Sequence, residues 1–590
     1  MSGQKHWPNA GYESGGDVMA DSKLTPPQTR AQDVTFVRQC SLAGLHSALP
    51  LLWPTPTGTP PSPKRDYRSH YAYLGWDDLT DPQAWTYLSD FDLVLRLVDF
   101  GGLRPVLAQR LGWTSACGKR PFDPLSMFLL TSWQIVNGWG RAETLRNIQH
   151  PRYADYAQCF GFENGLFPSE GGMRYFLTTL GRLSEVDGDT VTVELDHGDA
   201  VEIAIQYLNQ LIAGAVTLIL DAHLVSPGAW QKAWVCPDGM IHDAASRMRC
   251  TSVQDSCYRP TSCADPRPCP AKEKDDPRRG CDCDTLVCTA ICQYAPARDA
   301  QARCVWYEGS NQPSAHNPNA STEPPAQHKG KGELRYGYRS LPFQFAEPSR
   351  RFSFVLLDDL LSANAREENP AAALLLQLNT FYPDLGLEVV AGDAGFGYYS
   401  FLHAIYHCGA KRVVDLRAHS TDKDKAQWTT RGYDDKGRPI CTYGYRFSSN
   451  GFDADRQCHK WLCAQACLHQ ATPAVQLENV SYPPQDCPYQ GEAYQHGKSL
   501  SIKEIFDDHS IRLVRDLPVG TPTWKRFYHR ARNASEDRNS DLQCWGLKRL
   551  RVYGKLRARA IIALADVWLN LTTLARLVRE ATVATLIPSN

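Results

Sequence analysis

Two short, almost wholly apolar runs in this chain each end in an aspartate: TLIL before Asp221 and LEVVAG before Asp393. Apolar runs of that length, without alternation, suit strands buried on both faces, and such strands belong to sheets covered by helices on each side. A charged residue at the last position of a buried strand stands at the sheet's carboxyl edge, where open α/β sheets hold their ligands. The pattern therefore asks for a layered α/β fold with acids gathered along one edge.

The rest of the chain fills in that frame. Strand-like runs recur at LRYGYRSLPFQF, RFSFVLLDDL and KRVVDLRA, with helical spacing at ENPAAALLLQLNTFY and YSFLHAIYHCG. Starting from AVTLILDAHLVS, the order is three strands, helix, strand, helix, strand, then a detour and terminal helices. Two stretches rich in Cys, Pro and Gly, at about 227–333 and 419–522, break the sheet pattern and are expected to be insertions. Residues 1–68 hold Pro, Gly, Ser and Thr with little periodicity, as a loosely attached or disordered tail would. From 69 to 212 the spacing is helical. In FPSEGGMRYFLTTLG, Pro168 and Ser169 form a helix start and Met173, Phe176, Leu177 and Leu180 fall on one face. An acidic stretch then leads into a helix near 200–212. The expected organisation is a tail (1–68), a helical N-terminal domain (69–212) and an α/β domain (213–590) with two Cys-rich insertions.

With 590 residues the chain exceeds what one compact core usually holds. The N-terminus has neither a basic segment nor an apolar one, so no secretory signal is visible and a cytoplasmic location is expected. The apolar stretch IIALADVWLNLTTLARLV carries Asp566, Asn570 and Arg576 and is expected to form an amphipathic helix, so no membrane partner is expected. In a reducing cytosol the 20 cysteines point to metal sites or free thiols rather than disulfides. They concentrate in the insertions. Cys281, Cys283, Cys288 and Cys292 in the first, and Cys458, Cys463, Cys467 and Cys487 in the second, are candidate structural zinc ligands, with free thiols as the alternative. Cys441, His459 and His469 lie close to the second set in sequence. Cys408 and Cys544 fall in predicted helices as core thiols.

If Asp221 ends a first strand and Asp393 the fourth, and those strands are neighbours, the two carboxylates are close together. Ionising both requires a compensating charge. Oxygen ligands without His or Cys suit Mg²⁺ or Mn²⁺. A third acid must come from an element folding over that edge. Glu536 lies in WKRFYHRARNASEDRNSDLQC, one helical turn after Arg532, with Asp537 as its competitor. The net charge of the whole chain is −1, but residues 522–560 carry eleven Lys/Arg against three Asp/Glu. Such a segment can hold a phosphate backbone. His223 is expected to be structural, and Asp358, Asp359 and Asp415 to be surface or turn residues.

The segments LDAH, GDAGFGYYS and Y-x3-R-x3-E followed by GLKRLRVYG resemble the three acid motifs of bacterial insertion-sequence DDE transposases, in the branch whose third acid lies in a Tyr-Arg-Glu-Lys helix. The string YGYRS (336–340) is similar to their second strand, and FPSEGGMRYFL to a helical segment of their N-terminal domains. The resemblance implies an RNase H-like mixed sheet with Asp221, Asp393 and Glu536 as catalytic, metal-binding acids. It implies two metal ions about 4 Å apart that serve cleavage by water and strand transfer by a DNA 3′-OH. Tyr528, His529, Arg530, Arg532, Lys548, Arg549 and Arg551 would face DNA. The partners implied are the element's terminal inverted repeats and target DNA, bound by a homodimer in the nucleoid. Two departures stand out. The Tyr-to-Arg spacing is one residue longer than in the family, so either Tyr528 is displaced or His529 takes its place. The lysine expected seven residues after the glutamate falls on Gln543, with Lys548 the nearest beyond. A non-catalytic DNA-binding derivative and a metal-dependent nuclease of the same fold are the competing functions.

Overall fold

The structure is a computed structural model. It describes residues 48–59, 67–76, 84–113, 120–162, 165–182, 190–194, 200–204, 206–246, 299, 301–307, 333–415, 432–433, 438–453, 455–456, 458–469, 472–477, 481–485, 487, 489, 497–503 and 522–586. Of the expected tail (1–68), residues 1–47 and 60–66 lie outside the described residues, as do Cys281, Cys283, Cys288 and Cys292. Leu51–Leu52, by contrast, pairs with Val98–Asp99, and Leu51 and Trp53 are buried, so this part of the expected tail is bound into the core.

The N-terminal half is helical, as its spacing predicts. It contains α1 (Asp90–Leu97), α2 (Pro124–Val136), α3 (Arg141–Ile148), α4 (Glu170–Arg182) and α5 (Tyr207–Asp221). Asp123 caps α2, accepting from the Leu125 N–H at 3.0 Å, with Pro124 at the first helical position. Ser169 accepts from the Gly172 N–H at 3.1 Å and starts α4. Met173, Phe176, Leu177 and Leu180 are all buried on its inner face. Between α4 and α5, Thr190–Glu194 pairs antiparallel with Ala200–Ala204, so the helix expected near 200–212 begins only at Tyr207.

The β-structure begins later than the sequence suggests. Residues 215–221 are not a strand. They complete α5, whose buried residues Leu208, Leu211, Ile212, Ala215, Val216, Leu218 and Ile219 recur at helical intervals. The first strand of the main sheet is β1 (Ala233–Pro237), inside the stretch expected to be an insertion. It is followed by β2 (Met240–Asp243), β3 (Arg303–Tyr307), β4 (Glu333–Ser340), β5 (Phe343–Ala346), β6 (Ser353–Leu357) and β7 (Leu360–Ser362). Then come α6 (Glu368–Phe381), β8 (Leu387–Gly392), α7 (Tyr399–His407) and β9 (Lys411–Val414). These last four elements agree with the spacing. The run LRYGYRSLPFQF, expected as one strand, turns at Leu341–Pro342 and splits between two sheets.

The fold is mixed α/β with mixed sheets. The main sheet has the order β6-β5-β1-β8-β9, antiparallel from β6 to β1 and parallel from β1 to β9. A second sheet has the order β7-β4-β2, with β3 also paired to β4. In the second expected insertion, β10 (Ser448–Asp453), β11 (Cys458–Leu462) and β12 (Ser499–Lys503) form a separate antiparallel sheet.

Two C-terminal helices bind the halves together. Helix α8 (Pro522–Cys544) lies on one face of the main sheet, where Trp524, Phe527 and Ala531 pack on Trp234, Cys236, Val389, Ala391 and Val413. Helix α9 (Lys555–Leu586) runs through the interior. Its long apolar stretch would suffice for a membrane span by length and composition, but it is almost wholly buried within the fold. It is apolar around its circumference rather than amphipathic, since both the N-terminal helices and the sheet cover it. Trp568 stacks on Phe91 of α1 at 4.3 Å. A side chain at Gly181 of α4 would strike the Leu556 carbonyl at 2.0 Å, so only glycine permits this approach of α4 to α9. One hydrophobic cluster extends from Leu51 to Val578.

Several charged and polar residues inside this core are paired. Arg538 of α8 grips Asp566 of α9 with two bonds of 2.8 and 2.9 Å, and both side chains are fully buried. Arg559 of α9 reaches Asp358 at 3.1 Å. Asp358, expected at the surface, is therefore a core residue, and Asp415 is buried as well. Asn570 accepts from the Val355 N–H and donates to its carbonyl, each at 2.7 Å, fastening α9 to β6. Removing one member of a buried pair strands the other charge, at a cost of about 3–5 kcal/mol. Asp566→Asn is expected to lower the unfolding free energy by an amount in that range in chemical denaturation, with a smaller loss for the double replacement Arg538→Met/Asp566→Leu.

Candidate active site

The parallel pairing of β1 with β8 sets the site. Val235 is registered with Val390. Three residues further along each strand stand Asp238 and Asp393. Adjacent strands lie about 4.8 Å apart, so the two carboxylates emerge side by side at the sheet's carboxyl edge. Asp221 is not among them. It ends α5, is exposed, and lies on the other side of the α5–β1 connection. The expectation that Asp221 closes the first strand is thus corrected by the helix that absorbs it, and Asp238 holds the strand-end position.

A signal for Asp238 was present in the sequence. AWVCP followed by Asp-Gly has the same punctuation as VVAG followed by Asp-Ala-Gly. It was obscured by the Cys and Pro content of its surroundings, which marked the region as an insertion.

Helix α8 roofs this edge. Arg532 Nη1 donates to Asp238 Oδ1 at 2.8 Å, and Asn539 Nδ2 to Asp238 Oδ2 at 3.1 Å. Glu536 lies four residues after Arg532 and three before Asn539, on the same helical face, and is exposed. Asp537 interacts instead with Arg530 and Asp541 on another side of the helix. Asp393 accepts from the Gly395 N–H at 2.8 Å, which shapes the turn after β8. Burial pushes the Asp393 carboxyl above the ordinary aspartate range; Arg532 opposes this rise and Asp238 adds to it. Beneath them Cys236 is fully buried, and burial pushes its thiol up to about 12. It is held as the unreactive thiol.

Sequence reasoning missed a further acid at this site. Glu367 precedes α6 and pairs with Arg339 of β4. A side chain at Gly239 would meet Glu367 Oε1 at 2.7 Å, so this carboxylate lies against the residue that follows Asp238.

The residues expected to face DNA divide. Tyr528 stacks on Trp524 at 4.4 Å and packs against the core of α8. Arg530 is half-buried and donates to the carbonyls of Glu347, Arg350 and Phe352. Both are directed into the fold, and Arg532 is spent on Asp238. His529, Lys548, Arg549 and Arg551 are exposed. The strap bearing the last three is pinned to β2, with the Asp243 N–H donating to the Lys548 carbonyl and the Leu550 N–H to that of Asp243, each at 2.8 Å. His242, fully buried between Ser340 Oγ and the Leu547 carbonyl at 2.8 Å each, holds the same strap. Burial lowers its pKa to about 3, which keeps it neutral.

Cys458, Cys463, Cys467 and Cys487 are not joined in disulfides. Cys458 is buried in β11, whereas Cys463 follows that strand and accepts from the Lys498 N–H at 2.9 Å. Among the described residues, no three His, Cys, Asp or Glu side chains are grouped so as to hold a metal ion. No family profile, curated protein or solved structure matches the chain.

Burial raises the Glu367 carboxyl from 4.5 to about 7; Arg339 opposes the rise, and Asp393 and Asp238 add to it. The folded chain thus holds this proton longer than the unfolded chain. The stability it contributes is complete below about pH 4.5 and is lost as pH rises through about 7. Wild type is expected to lose stability relative to Glu367→Gln across that interval in denaturant titrations. A difference independent of pH would contradict the assignment.

Proposed function

We propose that this chain is a metal-dependent DNA strand-transferring enzyme of the DDE transposase type, acting at the terminal inverted repeats of an insertion sequence. The observation that carries the proposal is the pair Asp238 and Asp393 at the ends of adjacent parallel strands, roofed by the helix that bears Glu536. The reading is supported by the strand order. Numbered along the main sheet's own path, it is 3-2-1-4-5, with the first three strands antiparallel, which is the order of an RNase H-like sheet. The proposed acids are Asp238, Asp393 and Glu536, with Asp238 in the place first expected of Asp221.

The donor set fits a hard cation. Two carboxylates without a nearby histidine, one of them held above its ordinary range by burial and its neighbour, leave negative charge for Mg²⁺ or Mn²⁺ to balance. Mg²⁺ is commonly held by one or two carboxylates, with water and substrate phosphates completing its shell, which suits a site without a preformed cage. When bound, the metal supplies charge stabilisation for phosphodiester attack. The protein's part is positional. Arg532 and Asn539 fix the Asp238 carboxylate, Gly395 fixes Asp393, and Glu536 projects from the roof toward solvent and the incoming backbone. The exposed Lys548, Arg549 and Arg551 would contact phosphates, and two copies would pair the two DNA ends.

A strand-cleavage assay on duplex DNA carrying the element's ends, with Mg²⁺, tests this. Asp238→Asn and Asp393→Asn are each expected to reduce cleavage at least about 100-fold, while Asp221→Ala cleaves like wild type. Loss with Asp221→Ala and full activity of Asp238→Asn would overturn the assignment. Replacing Lys548, Arg549 and Arg551 together with Gln should weaken DNA binding at all sequences and flatten its salt dependence by about three charges. An unchanged salt slope would remove these residues from the DNA surface.

A further inference from the structure

We infer that Glu367 is a positioning residue of the proposed site, holding the Asp238–Gly239 turn and setting, against Arg339, how strongly the two strand-end aspartates attract a divalent cation. The inference rests on the proposed function for the cation's role, and on geometry for everything else.

Glu367 reaches the site from a different layer of the fold. It follows β7 of the second sheet and precedes α6, which packs on the main sheet. Its carboxylate lies so close to residue 239 that any β-carbon there would sit 2.7 Å from Oε1 and 2.9 Å from Cδ. The carboxylate is thus packed against the backbone directly after Asp238. The same carboxylate oxygen, Oε1, accepts from Arg339, whose Nε is buried without a hydrogen-bond partner among the described residues. Both strand-end acids act on Glu367 electrostatically. Beneath the exposed Glu536 the cluster thus contains three carboxylates, Asp238, Asp393 and Glu367, against two guanidinium groups, Arg532 and Arg339. Arg538 also acts on Asp238 but is already committed to Asp566. One negative charge is left over, and Glu367 supplies it.

The two partners should then act in opposite directions. Neutralising Glu367 leaves these two acids balanced by two guanidinium groups and removes the surplus negative charge that attracts a cation. Neutralising Arg339 leaves the full acid charge exposed to it. A purely structural role for the pair would weaken binding in both variants.

The experiment is titration calorimetry of Mn²⁺ into the full-length chain without DNA, at pH 7.5, with thermal unfolding recorded for each variant. Glu367→Gln is expected to raise the Mn²⁺ dissociation constant about tenfold, and Arg339→Gln to lower it, with folded chains in both cases. Glu367→Asp, which keeps the charge, should recover most of the loss. If Glu367→Gln binds Mn²⁺ like wild type while Asp238→Asn and Asp393→Asn do not, the inference fails and the site stands. If Glu367→Gln and Arg339→Gln weaken binding alike, the pair is structural only and the inference fails. If Asp238→Asn and Asp393→Asn also bind like wild type, the site itself is wrong.

Discussion

The buried ion network between the last two helices and the sheet is the constraint on which the remaining architecture depends. Arg538, Asp566, Asp358 and Arg559 come from α8, α9, the β6–β7 connection and α9 again, and all four are excluded from water. Unpaired, each would carry a desolvation penalty of several kcal/mol, so the elements that bear them are held to one relative arrangement. Burial pushes the Asp358 carboxyl well up, Asp566 adds to the rise, and the two arginines oppose it. The network specifies position more than it adds stability. It fixes the rotation of α8 about its own axis: with Arg538 turned inward to Asp566, Arg532 and Asn539 are turned toward Asp238.

Positioning of the site is therefore indirect. The strand ends bring Asp238 and Asp393 together through register, a local property of β1 and β8. The roof is supplied by α8, nearly 300 residues after β1 in sequence, and its placement is a property of the whole core. Asn570 ties α9 to β6, and Trp568 ties the same helix to α1. The N-terminal helices thus contribute to the site by burying the helix to which its roof is locked.

Much of this was legible in the sequence. LEVVAGDAG is a short apolar run closed by an acid and glycines, ENPAAALLLQLNTFY and YSFLHAIYHCG have helical spacing, and the structure follows all three. Asp393 was visible because an apolar run, an acid and glycines occur together. The failure at 215–221 has a specific cause. A helix buried on most of its surface and a strand buried on both faces look alike over seven residues, and only the spacing back to Leu208 distinguishes them. Glu367 was invisible for another reason. It lies in a polar connection, REEN, where nothing local separates an acid that folds inward from one that remains in solvent.

The same distinction explains which basic residues were misjudged. A helix with an excess of Lys and Arg looks like a phosphate-binding surface, yet Arg530, Arg532 and Arg538 all turn inward. Arginine suits that use because its planar fork can satisfy two acceptors at once while remaining charged. Arg538 does so on Asp566, and Arg530 on the carbonyls that close the β5–β6 turn. Charge counted along the sequence therefore overstates the cationic surface of α8. What remains outside is concentrated in the strap that follows it, where His242 and the backbone of Asp243 hold Lys548, Arg549 and Arg551 away from the core. The helix supplies precision beside the acids, and the strap supplies charge facing solvent.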